Sequence, residues 1–75
     1  MESKIIFLKV IEISGKEGKK YFKCFFLTDG YEPHDSFIDS DLMAKIVNKK
    51  YQPLNVYKGI FKMDKEMKLH LIDVV

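Results

Sequence analysis

A chain of 75 residues, 47% apolar and 32% charged with net charge +2, has the balance of one globular domain, near the size where a single core barely offsets chain entropy. No stretch is long and apolar enough to span a membrane, and the single cysteine, Cys24, excludes an intramolecular disulfide and lacks partners for a metal site. Met1-Glu2-Ser3-Lys4 leads straight into an apolar run with no small-residue cleavage site, so no signal peptide is expected and the expected compartment is the cytoplasm.

Lys4 to Ile13 is long and β-branched, and reads as a first strand. Strict alternation puts Ile6, Leu8 and Val10 on one face and Ile5, Phe7, Lys9 and Ile11 on the other. Both faces are mostly apolar, which predicts a strand covered on two sides or bent between two halves of a sheet. Ser14 to Lys19 is a polar connection with two glycines, and a second strand follows over Lys20–Thr28, so the pair should form a hairpin. Asp29-Gly30 marks the next turn, and Pro33 limits His34–Ile38 to an edge strand at best.

Ser40 is the expected cap of a short helix over Asp41–Lys49, with Leu42, Met43, Ile46 and Val47 as its apolar face and Lys49 and Lys50 at its negative end. Pro53 stops it. Leu54–Met63 reads as a fourth strand, Asp64-Lys65-Glu66 as a tight turn and Met67–Val74 as a fifth strand. The fold class is therefore all-β with one short helix, in the order β-β-β-α-β-β, with residues 1–75 forming one domain. That order suits a five-stranded OB-fold barrel, whose first strand pairs with both sheet halves. The alternative is a β-grasp fold, which requires only that His34–Ile38 not be a strand.

Charge is segregated along the chain. Residues 1–28 carry six lysines against three acids, residues 29–41 carry five acids and no lysine, and residues 42–75 carry seven lysines against three acids. The basic ends suit a polyanion, with the acidic middle turned elsewhere. All 13 basic residues are lysine. Lysine lacks the bidentate fork of arginine, which favours phosphate contact over duplex base reading by a guanidinium.

Alternation in the second strand sets Tyr21, Lys23 and Phe25 on one face and Phe22, Cys24 and Phe26 on the other. The second set, with Phe7, reads as core. The first mixes rings with a cation, as a surface must if it stacks bases and neutralises the phosphates between them. Lys19 and Lys20 add a basic rim. Tyr57 and Phe61 form a second candidate pair on the fourth strand, with Gly59 between them leaving room for a base and Lys58 and Lys62 on the opposite parity. The candidate nucleic-acid-binding residues are thus Lys19, Lys20, Tyr21, Lys23, Phe25, Tyr57, Lys58, Phe61 and Lys62. His34 and His70 have no metal-ligand spacing, the serines have no nucleophile-elbow context, and Gly15 to Lys19 is too short for a phosphate loop. A non-enzymatic protein is expected, with no cofactor, metal or small-molecule substrate.

Three segments carry a family likeness: Gly18-Lys19-Lys20-Tyr21, Gln52-Pro53-Leu54-Asn55-Val56-Tyr57 and Leu69-His70-Leu71-Ile72-Asp73-Val74. With the strand order, they make the chain resemble the small single-stranded-DNA-binding OB proteins of phages and plasmids, typified by the filamentous-phage gene V protein. The resemblance implies sequence-independent binding of single-stranded DNA, commonly as a homodimer, in phage or plasmid replication. Tyr21 would then be a base-stacking tyrosine, with Lys19, Lys20 and Lys23 as cationic rim. The chain departs from the pattern in having no arginine and in its acidic third-strand region. RNA fits the same chemistry, because stacking and phosphate contact do not sense the 2′-hydroxyl. A second reading, from the acidic block at 29–41, is a small interaction or inhibitor module that docks on a host protein.

Overall fold

The computed structural model describes all 75 residues; turns close three of its four strand pairings as hairpins, and the fourth joins the first strand to the strand that follows the helix. Strand β1 (Glu2–Ser14) is followed by β2 (Lys20–Leu27), β3 (Pro33–Ile38), helix α1 (Ser40–Asn48), β4 (Val56–Met63) and β5 (Leu69–Val74). One antiparallel sheet runs β3-β2-β1-β4-β5. Residues 2–6 of β1 pair with β4 and residues 6–14 with β2, so the long first strand serves both halves. Strand β3 is formed, at the sheet edge, and its presence removes the condition on which a β-grasp order depended. No helix is long and apolar enough to cross a membrane.

The sheet is not closed by a backbone ladder between its two free edges, β3 and β5. One buried side chain fastens them: Ser36 Oγ accepts a hydrogen bond from Leu71 N at 3.0 Å and donates one to Phe37 O at 3.1 Å. Inside the curve lie Ile5, Phe7, Cys24, Phe26, Ile38, Phe61, Leu71 and Val74, with Leu42 and Ile46 of α1 covering them. Burial pushes the Cys24 thiol up to about 12, since the thiolate would lose its hydration there.

Strand β1 departs from simple alternation. Phe7 pairs with Phe26 but Lys9 pairs with Phe25, so a bulge at Leu8 absorbs one residue. Ile5, Phe7 and Val10 consequently pack inward, and Lys9 and Ile11 stand opposite the outward Phe25 and Lys23. The expected grouping of Val10 with Ile6, opposite Phe7, is overturned by that extra residue.

The helix begins one residue earlier than expected. Asp39 is the cap, its Oδ1 accepting from Leu42 N at 2.8 Å, and Ser40 is the first helical residue. Only Leu42 and Ile46 are buried, whereas Val47 is exposed. The helix ends with Lys50 at φ 52, a left-handed position where glycine is the usual occupant, while Tyr51 N bonds Ile46 O. Lys45 of α1 reaches Asp73 of β5 at 2.7 Å, and that hydrogen bond raises the lysine pKa and lowers the carboxyl pKa. In the β4–β5 turn Asp64 Oδ1 accepts from Glu66 N and Lys68 N, and Oδ2 lies 2.6 Å from His70 Nε2.

Candidate nucleic-acid interface

The hairpin of β1 and β2 builds the site. Outward positions of β2 carry Tyr21, Lys23 and Phe25, and register places Ile13, Ile11 and Lys9 of β1 beside them. On the other side, β3 sets Phe37 against Lys23 and Asp35 against Phe25. A three-strand platform results, with Tyr21 and Phe37 about half exposed, at 47% and 53%. Their rings meet edge to face, centroids 6.3 Å apart and planes at 69°.

Cations are interleaved with the rings. Lys23 Nζ lies 5.2 Å from the Phe37 centroid and 5.9 Å from that of Phe25, and Lys9 Nζ lies 5.3 Å from Phe25. Both ammonium groups are therefore held beside a ring. Asp35 Oδ1 is 3.6 Å from Lys23 Nζ, which puts one carboxylate on the same surface. At the hairpin end, Gly15 lets Tyr21 lie against the turn: a Cβ there would fall 2.4 Å from Tyr21 Cε2. The turn closes through Gly15 N to Lys19 O at 2.6 Å, with Glu17 and Gly18 at positive φ.

Of the expected residues, Tyr21, Lys23 and Phe25 are brought together, and Lys19 is exposed in the adjoining turn. Lys20 is exposed at the start of β2, on the opposite parity to Tyr21, 3.7 Å from Glu12. Tyr57 and Phe61 are not on the platform. Phe61 is 7% exposed against Phe26, and Tyr57 packs on Phe7 and Tyr51 with its hydroxyl accepting from Gln52 N. The space beside Gly59 holds the Phe61 ring and Ile5, so it has no room for a base. Their parity matches the buried Ile5, which pairs with Tyr57. Lys58 and Lys62 take the outward parity of β4, with Lys58 opposite Lys4 and 3.6 Å from Glu2.

Two platform residues escaped the sequence reading. Phe37 lies in the acidic stretch, which was expected to face elsewhere, although its alternation with the buried Ser36 and Ile38 marked it as outward. Lys9 reaches the platform only through the bulge. The acids of 29–41 do not form one face either: Asp35 is on the platform, Asp39 caps α1, and Glu32 lies 3.7 Å from His34. No three His, Cys, Asp or Glu side chains gather as a metal site would need. No family model, curated protein or solved structure matches the chain, so the chemistry of this platform carries the functional reading.

Proposed function

We propose that the protein is a non-enzymatic OB-type module that binds single-stranded DNA across the outer face of β1, β2 and β3. One observation carries the reading: two half-exposed rings, Tyr21 and Phe37, meet on a sheet face where Lys23 sits between Phe37 and Phe25. Flat rings stack bases of any identity, while the lysines between them neutralise the backbone. The barrel assignment is supported by the strand order, by β1 serving both halves, and by the Ser36–Leu71 bond that draws the free edges together. Self-association as a homodimer belongs to the same reading, because 75 residues supply a small core. A sedimentation mass of one chain at assay concentration removes that part.

The test is fluorescence anisotropy with a labelled oligo-dT at two salt concentrations. Affinity should fall as salt rises, and binding that is undetectable at low salt, or indifferent to salt, removes the proposal. Tyr21→Ala should weaken binding more than Tyr31→Ala, because Tyr31 stands apart in the β2–β3 turn although it is 75% exposed. The protein-docking reading through residues 29–41 gains little support, since Asp35, Asp39 and Glu32 have separate partners.

A further inference from the structure

A carboxylate is out of place on a surface that meets phosphates. Asp35 nevertheless stands on the platform, opposite Phe25 and two residues along β3 from Phe37. Local structure does not require it there. Asp39 and Asp64 each hold backbone donors, whereas the Asp35 carboxylate has Lys23 as its partner, at 3.6 Å, and stays half exposed. Lys23 is the more buried member of the pair. Its side chain is 26% exposed, and its Nζ lies between the Phe37 and Phe25 rings.

Resting on the single-strand reading, we propose that Lys23 and Asp35 read the edge of the base stacked on Phe37 and favour guanine at that position. Guanine presents O6, N1–H and N2–H in a row along its pairing edge. The Lys23 ammonium donates to O6, and the two oxygens of Asp35 accept from N1–H and N2–H. No other base offers a carboxylate two adjacent donor groups of this kind. Thymine and uracil flank a single N3–H with two carbonyls, so one carboxylate oxygen faces another acceptor. Adenine and cytosine offer an amino group beside an unprotonated ring nitrogen. For those bases Asp35 adds mainly repulsion from phosphate, while for guanine the paired hydrogen bonds offset it. The remaining stacking and phosphate contacts stay indifferent to sequence, so the site tolerates any strand and prefers one that places guanine over Phe37.

The experiment compares short labelled strands by anisotropy: all-dT, and dT with one central dG, dA or dC, on the wild type and on Asp35→Asn. The dG strand should bind about tenfold tighter than all-dT, in the range a bidentate base contact gives. Asp35→Asn should abolish that advantage and make all-dT bind more tightly than it does to the wild type, because the charge that repels phosphate has gone and Lys23 loses its ion-pair partner. Phe37→Ala should weaken all four strands and also erase the difference. Four strands of equal affinity on the wild type, or a dG preference that survives Asp35→Asn, overturn the guanine assignment and leave single-strand binding standing. Failure of every strand to bind at low salt instead removes the parent reading and this one with it.

Discussion

Gly15→Ala isolates the contribution of a single ring. Gly15 sits at φ −95 and ψ −174, extended backbone that alanine adopts without strain, so the substitution acts through space and not through conformation. The added Cβ would lie 2.4 Å from Tyr21 Cε2 and 3.1 Å from Cδ2, well inside the 3.4 Å where ordinary contact begins, and 3.3 Å from Lys19 O, which needs to give by only about a tenth of an ångström. The ring must move by about 1 Å or more, and being half exposed it can swing at small cost to the fold. Stacking on one aromatic is worth about 1–3 kcal/mol per base. Displacing Tyr21 should therefore weaken oligo-dT binding by roughly five- to 150-fold, up to the loss from Tyr21→Ala and not beyond it. Thermal melts should be nearly unchanged. Anisotropy titrations of Gly15→Ala, Tyr21→Ala and the double variant close a thermodynamic cycle, and the double variant should bind no more weakly than Tyr21→Ala alone. Additive losses would show that Gly15 acts through something other than this ring. Full affinity in Gly15→Ala would show that the position of the ring does not matter to binding.

Ser36→Ala should destabilise the fold by about 1–3 kcal/mol, because Leu71 N loses its buried acceptor, and an unchanged denaturation midpoint would refute the fastening role of Ser36. Cys24, with its sulfur buried and its thiol pushed up to about 12, should resist a thiol reagent at pH 8 in the native protein and react at once in denaturant; rapid native labelling would contradict its placement. Asp73 has a folded-state pKa below its usual 3.8, chiefly through Lys45, so the pair supports stability above pH 3.8 and ceases to as pH falls through the depressed value. Chemical denaturation of Asp73→Asn should accordingly show a shallower loss of stability below pH 4 than the wild type shows. Parallel profiles would remove the assignment.

The two faces of β2 were legible because alternation there is unbroken from Lys20 to Leu27, and period two alone separates Tyr21, Lys23 and Phe25 from Phe22, Cys24 and Phe26. The inward parity of Tyr57 and Phe61 was also written in the chain, since Lys58 and Lys62 occupy the other face and long charged side chains seek water. Aromatic content outweighed that signal. The cap expected at Ser40 falls instead on Asp39, a residue type equally suited to the role, because β3 ends at Ile38 and the chain turns into the helix directly after it.

What the sequence determined by itself is the strand content, the place of the helix and the character of β2, all of which follow from local periodicity, turn residues and proline. Tertiary structure decided who stands beside whom. The bulge at Leu8 is a compromise between a core that needs Phe7 and Val10 inside and a partner strand that keeps its alternation, so it turns Lys9 outward onto Phe25. The β2–β3 register brings Phe37 and Asp35, from the most acidic stretch of the chain, against Lys23. Register is a property of two strands at once, set by the shared core beneath them. No single segment carries it.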